Sequence, residues 1–112
     1  MSTPSSIPAV PAEDQLRLQQ SGRDHLWLHF SRMGVYQDHD LPVIVKGDGA
    51  YVYDATGKRY LDALAGLFVS QLGHGRTDLV EAGAKQAAEL AYFPLWSYAH
   101  PTAIELSEKV AG

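Results

Sequence analysis

The sequence contains no cysteine. That absence excludes disulfide frameworks, thiolate nucleophiles and zinc knuckles together, and leaves nothing that requires an oxidising compartment. Basic residues are few: nine Lys plus Arg stand against thirteen Asp plus Glu, a net charge of −4, and they are scattered rather than striped. A nucleic-acid partner is therefore not expected. No apolar stretch approaches the roughly 20 residues needed to span a bilayer, so no membrane partner is expected either. A soluble, cytoplasmic protein is the expectation.

What remains is an ordinary globular composition, 46% hydrophobic and 20% charged over 112 residues, enough for one small domain. Met1 to Ala12 reads MSTPSSIPAVPA. Its prolines and serines, with no positive leader and no continuous apolar core, predict a disordered tail rather than a signal or transit peptide. The remaining residues must supply any core, which is tight for an enzyme that buries an organic cofactor.

Residues 13–40 form an amino-terminal helical segment in this reading. Leu16, Leu18, Leu26, Trp27, Leu28 and Phe30 are interrupted at Ser21-Gly22, which predicts a short helix and then a second helical or irregular piece. Trp27 and Phe30, three apart, would share a face if that piece is helical, and a local core contact is the plain reading of both.

Residues 41–64 change to a period of two. Val43-Ile44-Val45, Tyr51-Val52-Tyr53 and Tyr60-Leu61 predict a small antiparallel three-strand meander, broken at Gly47-Asp48-Gly49 and at Asp54-Ala55-Thr56-Gly57.

Residues 65–112 carry a glycine loop, a helix, an aromatic segment and the start of a further helix. Gly66, Gly73 and Gly75 around Leu67-Phe68-Val69 predict a loop where chains approach closely, not a core strand. Thr77 or Asp78 is expected to cap a helix running to about Ala91, whose mostly alanine face implies a close neighbour. Tyr92 to Tyr98 is dense in aromatics, Pro101 suits the first turn of a new helix, and Thr102 to Val110 follows with Ala103, Leu106 and Val110 on one face. Nothing after Gly112 covers that face, so the end is expected to be a cut.

Candidate chemistry is sparse. His25 and His29 have the spacing of two metal ligands on one helical face but lack a third, so no metal site is assigned. His74 and His100 have no nucleophile to serve, which leaves loop or helix-cap roles. Gly73-His74-Gly75 precedes a helix but lacks both the dinucleotide fingerprint and a Walker pattern. The four lysines, Lys46, Lys58, Lys85 and Lys109, stand in polar surroundings and none has the setting of a Schiff-base lysine. No catalytic or cofactor-binding residue is assigned, and the residues alone lead to a small α+β unit with an aromatic loop.

The stretch GDGAYVYDATGKRYLDALAGLFVSQLGHGRTDLVEAGAKQ resembles the amino-terminal region of class III aminotransferases, particularly the ω-amino-acid:pyruvate type. The family's meander pattern is matched here by Gly47, Gly49, Tyr51, Asp54, Gly57, Tyr60, Leu61 and Asp62. The likeness continues through Gly66 and Gly73-His74 to His100-Pro101, covering roughly Arg23 to the end. At Thr77-Asp78 many relatives carry a His-Pro step instead.

The resemblance implies an α+β fragment, a three-strand meander with flanking helices, of a fold type I pyridoxal-phosphate-dependent transferase whose parent is α/β. The parent would be a homodimer with active sites at the dimer interface. Its phosphate-binding stretch, the acid facing the pyridine nitrogen and the cofactor-bonding lysine have no match here, so pyridoxal 5'-phosphate would be held by the parent through residues outside this chain. The roles carried over are on the substrate side: Phe30, Leu67 and Phe68 at the substrate pocket, and Leu95 and Trp96 reaching the partner subunit's active site. Plain packing is the competing reading for each.

The expected reaction moves an amino group from an amine or ω-amino acid to a keto acid such as pyruvate, with the 112-residue chain inactive alone. The alternatives are a truncated, non-enzymatic interaction protein with exposed Trp27, Phe68 and Trp96, or another pyridoxal-phosphate reaction on the same scaffold.

Overall fold

The computed structural model describes residues 7–112. The chain divides into two compact units, Met1–Arg76 and Thr77–Gly112, and each is built by different means.

The first unit is organised by a sheet. Strands β1 (Ile44–Asp48), β2 (Tyr51–Asp54) and β3 (Arg59–Leu61) pair antiparallel in the order β1-β2-β3. Asp48 pairs with Tyr51, so only Gly49 and Ala50 turn the first hairpin, and Gly49 takes a positive φ of 58°. The register shifts between Ile44 and Lys46, the sign of a bulge at Val45. Tyr53, at the centre of β2, is 1% exposed, and Leu41 and Ala55 are the other buried apolar residues among those described. The meander matches the sequence pattern, with β1 running on through Gly47 to Asp48.

Helix α1 (Ala12–His25) passes through Ser21-Gly22 without a break. The glycine is there for approach: a Cβ at Gly22 would lie 2.6 Å from Leu41 Cδ1. The helix docks largely through polar side chains. The Gln19 amide pairs with the backbone of Leu41 in both directions, donating to its carbonyl at 2.8 Å and accepting from its N–H at 2.7 Å. One turn on, Arg23 Nε donates to the Tyr36 carbonyl at 2.7 Å and Nη2 meets Asp40 Oδ1 at 3.1 Å. These two residues, four apart on one face, hold the irregular segment that contains the 3-10 turn Met33–Gln37.

Two expectations change here. Trp27 and Phe30 lie after the helix, which ends at His25, and they are 86% and 101% exposed, so neither makes the local core contact. The expected tail was drawn to Ala12, but the Val10 N–H donates to the Ala55 carbonyl at 2.8 Å and Gln15 Nε2 reaches the Val10 carbonyl at 2.6 Å. Backbone groups at the turn after β2 are thus satisfied by this segment. Residues 1–6 of the expected tail lie outside the described residues.

After β3 comes the short turn α2 (Ala65–Phe68), in which all four residues have positive φ, from 50° to 67°. The expected loop therefore contains one compact left-handed turn.

The second unit consists of α3 (Thr77–Leu90), the aromatic segment and α4 (Pro101–Ala111). Thr77 is the first helical residue rather than a cap, and Asp78 places an acid in the first turn, where the helix dipole favours it. His100 caps α4, its ring Nδ1 accepting from the Ala103 N–H at 3.4 Å, and Pro101 occupies the first turn. Neither helix buries a residue, and Val80, Leu106 and Val110 are exposed. Among the described residues, no helix is long and apolar enough to cross a membrane.

Candidate substrate-side site

Two of the candidate residues, Leu67 and Phe68, are set by the left-handed turn. Left-handed backbone costs an L-residue about 1–2 kcal/mol relative to the right-handed form, and single residues, not runs, are the rule. Here Ala65, Leu67 and Phe68 all adopt it, with only Gly66 free of the penalty. The turn is closed by backbone bonds from Phe68 N–H to Leu64 O at 2.8 Å, Val69 N–H to Ala65 O at 2.9 Å and Ser70 N–H to Ala65 O at 2.8 Å. Gln71 Nε2 caps the Phe68 carbonyl. The result holds two apolar side chains outward: Phe68 is 70% exposed, and Leu67 is exposed as well. Strain of this kind persists where its surroundings enforce it, and such places cluster at functional sites.

The enforcement comes from Asp62. Its N–H donates to the Ala50 carbonyl at 2.9 Å and its carbonyl accepts from the Ala65 N–H at 3.1 Å. Its carboxylate divides between two partners, Oδ1 taking the Gly66 N–H at 3.1 Å and Oδ2 meeting His74 Nε2 at 2.7 Å. These contacts, the His74 bond first and the Gly66 amide second, outweigh desolvation and hold the Asp62 carboxyl below its ordinary value. His74 is in turn pinned to the hairpin tip by reciprocal backbone bonds with Gly49, at 2.8 and 3.0 Å. Gly47 has no Cβ because one would sit 2.6 Å from the His74 side chain.

Asp54 does comparable work at the second hairpin. It is buried, and burial alone opposes its charge. Hydrogen bonds from the Thr56 and Tyr60 hydroxyls and from the Lys58 and Thr56 amides more than offset that and lower its pKa. Tyr60 is shifted the other way, upward, first by its bond to Asp54 and then by desolvation.

The remaining candidates fall elsewhere. Phe30 has φ 55° and packs its ring edge-on against His29 at 5.4 Å, and no ring contact joins it to Phe68 among the described residues. In the second unit, Leu95 and Trp96 line an open groove of about 590 Å³ with Phe93, Pro94 and Leu90. Phe93 and Tyr98 brace it in a T-shaped pair with centroids 5.2 Å apart. His25 and His29 do not share a helical face, since α1 stops between them, and the described residues contain no cluster of three metal-ligating side chains. His74 is a loop anchor and His100 a helix cap. The pairing of Asp62 with His74 was not read from the sequence. The available signal was an acid and a histidine at the two ends of a glycine-dense loop.

The match to known proteins decides what this scaffold is. The model of the class III aminotransferase family fits residues 33–112. The chain belongs to the class III aminotransferases. It is 54% identical over 99 residues to a probable aminotransferase of Mycobacterium tuberculosis, covering 88% of this chain and 21% of that protein. Against the beta-alanine–pyruvate aminotransferase of Pseudomonas aeruginosa the identity is 36% over 112 residues, covering 100% of this chain and 23% of the relative. Among solved structures, an (S)-enantioselective omega-transaminase from Thermomicrobium roseum superposes with a TM-score of 0.79 at 33% identity, covering 94% of this chain and 23% of that one. This class III aminotransferase chain thus spans about a fifth of the length of the curated relatives it matches. Its three-strand antiparallel sheet with flanking helices is part of the transaminase fold.

Proposed function

We propose that this chain is the substrate-facing, amino-terminal part of a pyridoxal-phosphate-dependent aminotransferase that moves an amino group from an amine or ω-amino acid to a keto acid such as pyruvate. The parent is read as a cytoplasmic homodimer of fold type I. The observation that carries this reading is the left-handed turn, an anchored feature that holds Leu67 and Phe68 outward on a sheet whose likeness to transaminases is specific.

Pyridoxal phosphate supplies the electron sink for such chemistry. The described residues do not form its cradle: Lys46, Lys58, Lys85 and Lys109 are all exposed, and no buried side-chain polar atom is left without a partner. The share assigned to this chain is therefore the wall of the pocket. Leu67 and Phe68, with Phe30, exclude water and select the donor's side chain, and Leu95 and Trp96 extend toward the partner subunit's active site. Apolar surfaces this open are what a chain shows when its covering partner is another part of an assembly.

The test uses the full-length protein with pyridoxal phosphate. Incubation with β-alanine and pyruvate should yield alanine, and Phe68→Ala should change the relative rates with small and bulky donors. Full-length protein that binds the cofactor but forms no alanine from any amine donor would overturn the reading.

A further inference from the structure

The Asp62 carboxylate has two oxygens and two separate duties. Oδ1 takes the N–H of Gly66, inside the left-handed turn, and Oδ2 takes the ring of His74, at the far end of the same loop. Its backbone meanwhile joins Ala50 at the hairpin tip to Ala65 at the start of the turn. His74 is itself fixed to Gly49 by two backbone bonds and pressed against Gly47. Both ends of the loop are thus referred to one rigid object, the β1-β2 hairpin, and Asp62 is the residue that passes this reference to the turn.

The turn needs such a tie. Three of its four residues are held in a conformation that L-residues disfavour. Without the carboxylate, the Gly66 N–H loses its acceptor and the strain has less to oppose it. The residues that would move are Leu67 and Phe68, whose side chains make the proposed pocket wall.

We propose that Asp62, acting with His74, is a positioning residue that fixes where Leu67 and Phe68 stand against the donor's side chain. The inference rests on the pocket reading given above. Asp62 touches neither donor nor cofactor in this account; it acts through the turn.

The experiment compares kcat and KM for β-alanine and for a bulky benzylic amine in full-length holoenzyme carrying Asp62→Ala, Asp62→Asn, His74→Ala or Phe68→Ala. Asp62→Ala should change the ratio of the two kcat/KM values by about tenfold, mainly through KM, because displaced pocket walls alter fit more than chemistry. Asp62→Asn keeps an oxygen for Gly66 and a polar group for His74, and should restore the ratio to within about threefold of wild type. His74→Ala should shift the ratio in the same direction as Asp62→Ala, and it decides the matter if Asp62→Ala fails to fold. An unchanged ratio in Asp62→Ala and His74→Ala, while Phe68→Ala shifts it, would overturn the positioning role and leave the pocket reading standing. An unchanged ratio in Phe68→Ala would overturn the pocket reading and the positioning role with it.

Discussion

The Tyr60 hydroxyl donates to Asp54 Oδ2 at 2.7 Å, across the turn that joins β2 to β3. The other carboxylate oxygen of Asp54 collects the Thr56 hydroxyl and the amides of Thr56 and Lys58 at 2.7 to 3.0 Å. One buried acid therefore closes the hairpin on which the left-handed turn is mounted. Asp54→Ala leaves these donors without their acceptor and should lower the thermal midpoint of the full-length protein by about 3 °C or more. Tyr60→Phe, which removes one donor and keeps the ring, should have a smaller effect; calorimetry of the two variants checks the order.

Acid should weaken the fold through the same group. Asp54 and Asp62 both have folded pKa values below the ordinary 3.8. The unfolded state then binds protons first, so the stability they contribute is complete above about pH 4 and is lost as the pH falls through the lower, folded values. Urea midpoints measured from pH 6 down to pH 2.5 should fall more steeply for wild type than for Asp54→Asn.

Alkali acts through Tyr60, whose pKa is raised above 10.0. Its contribution is complete below that ordinary value and is lost as the pH rises through the folded one. An ultraviolet phenolate titration should show Tyr60 titrating above its ordinary value of 10.0, and Asp54→Asn should bring it back toward that value.

Within the left-handed turn, two small substitutions should have opposite signs. Gly66 has φ 57° and its nearest neighbour for an added Cβ is Val69 Cγ2 at 3.6 Å, so Gly66→Ala adds backbone strain without a clash and should cost about 1 kcal/mol. Ala65, at φ 50°, is already strained, and Ala65→Gly should stabilise slightly, by less than about 1 kcal/mol, because unfolded-chain entropy opposes the relief. Chemical denaturation of the pair measures the difference.

Gly57 offers a harder test of backbone packing. It combines φ 86° with a Cβ position occupied by the Ile7 carbonyl oxygen. Gly57→Ala should destabilise by about 2 kcal/mol or more, since backbone cannot step aside as a side-chain tip can. The readout is the denaturation midpoint.

How much of this was legible depended on where the physics was written. The meander was readable because Val43 to Val45, Tyr51 to Tyr53 and Tyr60-Leu61 are β-branched and aromatic runs, and because Asp54 to Gly57 is turn chemistry on its face. The continuity of α1 was not, because Ser21-Gly22 reads as a break until Leu41 is seen to need the space. Trp27 and Phe30 were read as a local core contact because large aromatics are usually buried, but both stand exposed past the end of α1. The left-handed turn was hidden for a different reason: Gly66 signals it, but Ala65, Leu67 and Phe68 have no left-handed preference, and their conformation is imposed by Asp62 and the loop. Leu67 and Phe68 came from family likeness, and geometry then supplied their common platform.

The docking of α1 has an evolutionary corollary. Gln19 and Arg23 grip the carbonyl of Tyr36 and the carbonyl and N–H of Leu41, groups that every residue other than proline offers. Apart from the buried side chain at Leu41 and the Asp40 carboxylate that meets Arg23, the gripped strap is free to drift in identity without losing its hold, whereas the helix is not. Substitutions should therefore be tolerated asymmetrically across this contact, with selection weighing on Gln19, Gly22 and Arg23 and little on the side chains they pass over.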